Sequence, residues 1–508
     1  QRLGAELQQR GHEISIEFDI ADSVAEEAVA LFRPALIVAP YLRRAIPESI
    51  WSRHVCLIVH PGIVGDRGPS ALDWAIQDGE AEWGVTVLQA EREMDAGPVW
   101  ASAAFAMRRA KKSSLYRNEV TQAATSAVLQ AVQRFESGRF QPPALAGLSG
   151  VRGRLRPLMK QDDRRLDWTR DSTEAVLRKI NAADGFPGVA DSLFGDPCHL
   201  FDAWPEATLR GTPGALLARR ETALLRATLD GAVWIGHVKR PAGVKLPAAL
   251  AFENQAQALP LASLPDWWRA AAPTWQDIAY EETGSVGLLH FEFYNGAMST
   301  VQCQRLQAAL RWAKQRPVRV LVLMGGVDFW SNGIHLNVIE AASLGDGSAA
   351  DESWANINAM NDLALELINS PDQLTVAALA GNTGAGGCFL ARAADAVWAH
   401  VGVVLNPHYK NMGNLYGSEY WTYSLPRRIG DAASRTLMQE RLPLTAADAL
   451  ARGLLDAAFG EGAQDFGEQA LERALALAAT HNLTQRLAQK QAQREQDEAH
   501  KPLADYRA

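Results

Sequence analysis

Apolar positions along the first ~140 residues alternate between a helical and a strand period. Gln1–Arg10 carries Leu3 and Leu7 on one face and predicts an amphipathic helix, which Gly11 ends. Glu13–Phe18 alternates as a strand, and a helix follows over Ile20–Phe32. Apolar strands are predicted at Ala35–Ala39, Val55–Val59 and Val85–Gln89. Between the last two lies a helix, Pro69–Gln77, with Ala71, Leu72 and Ile76 inward, and after the basic run Arg108–Lys112 comes a long helix over Ser114–Gln133. This rhythm implies an open parallel sheet. Such a sheet places a strand before its first helix, so we expect the natural protein to begin one strand earlier than Gln1.

Glu136–Leu158, rich in Gly, Pro and Arg, predicts a linker. Beyond it come a short helix, Thr173–Asn181, the turn Asp184–Gly188 and alternating stretches at Cys198–Ala203, Gly214–Ala218, Leu224–Thr228 and Val233–Val238. These predict a small β-barrel or sandwich. A second linker, Leu246–Thr274, precedes a renewed α/β rhythm: strand Val286–Phe293, helix Val301–Ala313, strand Val318–Gly325, helix Asp351–Asn369, strand Leu374–Leu379 and helix Gly386–Ala394. Leu483–Ala508 reads as a solvated terminal helix. The expected fold class is therefore α/β in three parts: an open parallel-sheet domain (1–140), a small β-rich domain (160–245) and a C-terminal α/β domain (280–508).

Composition narrows the function. At 508 residues, three domains are the natural count. A net charge of −8 without a Lys/Arg block argues against nucleic acid. No apolar run approaches the ~20 residues that span a bilayer. Four scattered cysteines form no CxxC pair, so we expect neither disulfides nor a metal site, and a cytoplasmic protein.

The first chemistry-bearing constellation is His60, at the end of a buried strand, followed by Gly65–Ser70 (GDRGPS) and then Asp95 in the turn EREMDAGP. A histidine oriented by a carboxylate can shuttle a proton during acyl transfer. A strand-capping His60 and an Asx-turn at Asp95 fit the residue types equally well. Taken together, however, His60, Arg67-Gly68, Trp74-Ala75-Ile76, Gly84-Val85-Thr86 and Asp95-Ala96-Gly97 resemble the formyltransferases that use N10-formyltetrahydrofolate. Leu166-Asp167-Trp168 through Phe186-Pro187-Gly188 resembles that family's linker into its C-terminal β domain. The resemblance implies catalytic roles for His60 and Asp95 and a folate site near Arg67 and Gly68. One departure stands out: where the family carries an asparagine two residues before the histidine, this chain has Ile58. Losing one such oxyanion donor costs about 2.7–4 kcal/mol of transition-state stabilisation. A thiol acceptor would suit this change better than an amine.

The second constellation pairs Phe329–Leu336 (FWSNGIHL) with the glycine-rich turn Gly381–Leu390 (GNTGAGGCFL). Taken singly, each is more simply a packing turn. In this order they resemble the crotonase, or enoyl-CoA hydratase/isomerase, superfamily. That resemblance implies coenzyme A binding and an oxyanion hole formed by the Asn332 and Gly386 N–H groups. The two glutamates that hydrate an enoyl thioester are replaced by Phe389 and His408, so water addition is not expected. Leu405–Tyr423 holds His408, Tyr409, Lys410, Tyr416, Glu419 and Tyr420. An aromatic oligomer interface is one reading of this stretch. A replacement acid/base set is the other, with Tyr416 and Glu419 on one helical face and His408 in reserve.

Both halves together, with Ser353–Leu363 (SWANINAMNDL) and NPHYKNMGNLYGSEYWTY, resemble the HypX/HoxX hydrogenase-maturation family. The resemblance implies formyl transfer from N10-formyltetrahydrofolate to coenzyme A. Decarbonylation of formyl-CoA would then supply the carbon monoxide ligand of [NiFe]-hydrogenase, with transient contact to hydrogenase maturation proteins. Two rival classes remain open here: an amine formyltransferase fused to an unrelated acyl-CoA enzyme, and a non-catalytic folate- and CoA-binding maturation chaperone.

Overall fold

The computed structural model describes residues 1–507 except Asp19, Arg43, Gly345, Asp346 and 410–414. The chain divides into two compact units, Arg2–Gly243 with Pro247–Leu261, and Ala262–Ala508 with Gln1 and Val244–Leu246. Both the first sheet and the small β-rich part lie in the former unit.

The first sheet has strands Ile37–Ala39, Cys56–His60, Glu82–Gln89 and Val99–Ala106, in that spatial order. Cys56–His60 is buried because both faces are covered. Leu57 and Val87 pack on Ala127, Val128 and Ala131 of helix Thr121–Glu136, while Cys56 and Ile58 pack on Ile50 and Ala90. Each fully buried side chain of this kind contributes about 1.5–3 kcal/mol.

The sheet is mixed rather than wholly parallel. Ile37–Ala39 and Cys56–His60 run parallel, but the next two pairings are antiparallel. The expected strand at Glu13–Phe18 does not form. No strand among the described residues pairs with it, and Ile16 and Phe18 are 63% and 79% exposed. Alternation without a hydrogen-bonding neighbour does not make a strand. Strand Val99–Ala106, unmarked in the sequence reading, completes the sheet.

The small part of this unit packs helix Thr173–Ala183 against five strands, Val189–Leu193, Asp196–Glu206, Ala232–Lys239, Ala223–Ala227 and Leu216–Arg220, paired antiparallel in that order. The stretch read as a linker also has structure. Its residues 153–156 run beside the loop after His60, through Gly153 N–H to Val64 O (3.2 Å), Arg67 N–H to Arg154 O (3.2 Å) and Arg156 N–H to Arg67 O (2.9 Å).

In the other unit, six strands follow the order Ile278–Thr283, Val286–Phe291, Val320–Gly325, Leu374–Leu379, Ala396–Ala399 and Ala457–Ala458, all parallel after the first antiparallel pair. Leu321 and Leu323 face a core shared with helices Thr300–Lys314 and Ala349–Ile368, whereas Val320 and Val322 face Phe466, Ala470 and Ala474 of helix Ala463–Ala479. A second, smaller sheet holds Phe329–Ser331, Asn382–Gly384, Val404–Asn406 and Leu444–Thr445. It carries the turns on which the second site is built. Among the described residues, no helix is long and apolar enough to cross a membrane.

One buried charge anchors the first unit. Asp73 accepts from Lys112 Nζ at 2.9 Å and from the Arg164 guanidinium, and burial draws the Lys112 ammonium below its ordinary range. Removing the carboxylate strands two buried cations. Asp73→Asn should therefore lower stability by about 3–5 kcal/mol, read as an earlier urea transition of this unit.

Candidate catalytic sites

The first site grows from the end of strand Cys56–His60. His60 is 4% exposed and is flanked by two carboxylates: Nε2 lies 3.0 Å from Asp66 Oδ1, and Nδ1 lies 3.6 Å from Asp95 Oδ2. Gly62 makes the first contact possible, since a Cβ there would fall 2.5 Å from His60 Nε2 and 2.7 Å from Asp66 Oδ1. The loop is pinned to its neighbour strand by Thr86 Oγ1 donating to Gly62 O (2.8 Å) and Trp83 Nε1 donating to Pro61 O (2.9 Å). Asp95 sits at φ +57° in its turn and accepts from Gly68 N–H at 3.3 Å.

The two folate candidates separate in role. Gly68, at φ +114°, lies against the Arg156 carbonyl, where a Cβ would meet oxygen at 2.2 Å. Arg67 turns its guanidinium to Glu93 at 2.5 Å, so its side chain is already engaged by a carboxylate. Ile58 packs with Ile50, Cys56 and Ala90, so this position supplies no amide. Asp66 and Arg156 were missed in the sequence. Asp66 lay within the quoted GDRGPS loop as a turn residue, and Arg156 fell in the supposed linker. Arg156 Nε stands 3.6 Å from Asp66 Oδ2, with its NH1 on Asp78 at 2.7 Å.

The second site, in the other unit, is set by helix Gly386–Arg392. Gly386 opens the helix, where an N–H has no intrahelical acceptor. A Cβ on Gly386 would lie 2.3 Å from Glu419 Oε1 and 2.9 Å from Tyr409 Oη, so both polar groups lie against the Cα of Gly386, where no side chain would fit. Glu419 is 2% exposed; its Oε2 accepts from Tyr409 Oη (3.3 Å) and Ser418 N–H (3.1 Å), and its own N–H donates to Asn361 Oδ1 at 2.7 Å. Burial pushes the Glu419 carboxyl up to about 7, against the opposing pull of those hydrogen bonds. The same burial, with Glu419 adjacent, raises the Tyr409 phenol well above its ordinary value. Phe389 is fully buried and stacks on Tyr409 at 6.4 Å between ring centroids.

Three expectations are corrected here. Tyr416 does not join Glu419: it is 56% exposed and its hydroxyl accepts from Gln439 Nε2 at 2.8 Å. Tyr409 holds the place expected of it, because Glu419 and Tyr420 adopt left-handed conformations (φ +47° and +55°) and the supposed shared helical face never forms. The Asn332 N–H is not free for an oxyanion, since it donates to Gly296 O at 2.7 Å. Gly333, next along, lies near Gly386: a Cβ on it would be 3.3 Å from Gly386 N, and its N–H rests on Ser331 Oγ at 3.0 Å. His408 is buried, and burial lowers its proton affinity. Its charged neighbours are Glu440 and Arg441 rather than Glu419, so it stands apart from the pair. Lys410 lies outside the described residues. Among the described residues, no cluster of metal-ligating side chains occurs.

These features define a class: a formyltransferase-type site and a crotonase-type site carried by one polypeptide. The formyl transferase family matches residues 17–132, its C-terminal domain family residues 158–255, and the enoyl-CoA hydratase/isomerase family residues 287–506. The chain is 53% identical over 511 residues to the hydrogenase maturation factor HoxX of Bradyrhizobium diazoefficiens, covering 100% of this chain and 88% of that one. The crystal structure of HypX from Aquifex aeolicus in complex with tetrahydrofolic acid superimposes with a TM-score of 0.96 at 44% identity, over 100% of this chain and 89% of that one. The methionyl-tRNA formyltransferase of Desulfotalea psychrophila is 27% identical over 232 residues, 44% of this chain and 70% of its own. The chain belongs to the HoxX/HypX family of hydrogenase maturation factors.

The raised Glu419 carboxyl has a consequence for stability. Unfolded, the group releases its proton near 4.5; folded, near 7, so the native state binds more protons in between and loses stability as pH rises through that window. Glu419→Gln removes this loss. Its unfolding free energy should match that of the wild type near pH 4.5 and exceed it by up to about 3 kcal/mol above pH 8, measured by urea titration across pH.

Proposed function

We propose that this chain makes carbon monoxide for hydrogenase maturation in two steps, formyl transfer from N10-formyltetrahydrofolate to coenzyme A and decarbonylation of the resulting formyl-CoA. The observation that carries this reading is the buried Glu419–Tyr409 pair beside Gly386, in a site where the crotonase resemblance implies that Phe389 stands in place of a hydratase acid. Folate use is supported by the formyltransferase-type site and by the tetrahydrofolate complex of the Aquifex relative. Coenzyme A use rests on the crotonase-type half.

In the first step His60, held between Asp66 and Asp95, relays the proton that the thiol loses and the folate nitrogen gains. The thioester C–S bond forms as the C–N10 bond breaks. Ile58 leaves the developing oxyanion without a side-chain amide, which suits the more nucleophilic thiolate.

In the second step the formyl oxygen sits at the Gly386 N–H, with Gly333 the adjacent second donor once its bond to Ser331 is exchanged. Glu419 is the base: a carboxyl poised near 7 is half ionised at neutral pH and strong enough to matter. It takes the formyl proton, the C–H electron pair becomes the carbon lone pair of CO, and the C–S pair leaves with sulfur. Tyr409 hands its phenolic proton to the thiolate and is reprotonated by Glu419 through their 3.3 Å contact, so CO and the thiol are the net products. Having both steps in one chain raises the effective concentration of a reactive thioester for its consumer. The four cysteines are unpaired, which fits a reducing compartment, and we place the reaction in the cytoplasm with transient contact to hydrogenase maturation proteins.

The test supplies the full chain with N10-formyltetrahydrofolate and coenzyme A and measures headspace CO. One CO should appear per tetrahydrofolate; a formamide product or mere ligand binding would refute the reading. Tyr409→Phe and Glu419→Gln should each cut CO release about 10²–10⁴-fold while formyl-CoA or formate accumulates. Tyr416→Phe should remain near wild type. His60→Ala should stop tetrahydrofolate release yet leave coenzyme A affinity nearly unchanged by calorimetry.

A further inference from the structure

Asp66 lies outside the His/Asp pairing from which the formyl-transfer reading was built, yet it makes the shorter contact with His60. A carboxylate only accepts hydrogen bonds, so the 3.0 Å contact from Asp66 Oδ1 requires the proton of a neutral His60 to sit on Nε2. Two further observations close off that side of the ring. The Gly62 main chain lies so near that even a methyl group would fall 2.5 Å from Nε2, which leaves no room there for a substrate atom. Asp66 itself is 2% exposed, and its second oxygen has no hydrogen-bond partner among the described residues but faces the Arg156 guanidinium at 3.6 Å. That cation is tethered by Asp78 (2.7 Å) and stands over the Trp83 ring (5.6 Å). The other nitrogen is differently placed. Nδ1 is 3.6 Å from Asp95 Oδ2, too far for a direct hydrogen bond.

We infer that Asp66 is a positioning residue that fixes His60 as its Nε2–H tautomer, leaving Nδ1, beside Asp95, as the nitrogen that moves the proton in formyl transfer. The inference rests on the formyl-transfer reading of this site. The acceptor S–H bond breaks and its proton goes to Nδ1 while sulfur bonds the formyl carbon. The C–N10 bond then breaks with its electron pair on N10, which takes the proton back from Nδ1. At the midpoint the imidazolium faces a carboxylate on each side, as a triad aspartate stabilises its histidine.

The test is nitrogen-15 NMR of histidine-labelled full-length protein with its imidazoles neutral, with His60→Gln identifying its signals among eleven histidines. The wild type should show a protonated Nε2 and an unprotonated Nδ1. In Asp66→Asn the side-chain amide can donate to Nε2, so the tautomer should flip. The kcat for tetrahydrofolate release should then fall about 10²–10⁴-fold, with KM for the folate within about threefold. A protonated Nδ1 in the wild type, or a kcat for Asp66→Asn within about twofold of wild type, overturns the inference. The wild-type spectrum decides even where that variant fails to fold. Undiminished turnover in His60→Ala would instead refute formyl transfer at this site and leave the tautomer standing.

Discussion

A carboxyl group buried against the glycine that opens a helix is the constraint around which the site of the C-terminal unit is built. Glu419 can occupy that place only because Gly386 has no side chain, because Asn361 holds its backbone N–H, and because two successive residues accept left-handed conformations. Such conformations cost about 1–3 kcal/mol each where the residue is not glycine, and they persist when the surroundings over-determine them. Phe389 supplies much of that surrounding. It stacks on Tyr409, and burial holds the proton affinity of Glu419 above the ordinary carboxyl range.

The N-terminal site solves a related problem with charge rather than with apolar cover. Its histidine has a carboxylate at each nitrogen, and the backbone comes close enough to fix both. Glycines serve this at Gly62, where His60 and Asp66 meet, and at Gly68, whose left-handed φ lets its main chain lie on the Arg156 carbonyl. The stretch that joins the two parts of this unit is thus part of the site, because residues 153–156 lie along the loop after His60 and bring the Arg156 guanidinium to Asp66.

Much of the architecture was legible before any coordinates. The apolar runs Val318–Gly325 and Leu374–Leu379 read as strands, and strands form at Val320–Gly325 and Leu374–Leu379; the Gly-rich turn into Gly386 was recognisable as a helix start. What misled was local reasoning applied where the chain departs from regular geometry. Tyr416 and Glu419 are three apart, a spacing that means adjacency only in a helix, and the backbone there is left-handed. Tyr409, ten residues from Glu419, reaches it because the chain doubles back, as its bridge to Leu415 records. Asn332 failed for a different reason: whether an N–H is free depends on which carbonyl lies opposite, and Gly296 O comes from a segment thirty-six residues earlier.

The sequence by itself determined most of the helices and buried strands, the two site types and the residue chemistries, since these follow from local periodicity and from motifs only a few residues long. Tertiary structure alone decided which nitrogen of His60 is engaged, which tyrosine meets Glu419, and which backbone donors remain unspent. Those outcomes depend on ångström-scale distances between segments remote in the chain, and on how far burial shifts the affinity of a carboxyl for its proton. Neither quantity is encoded in any short stretch of residues.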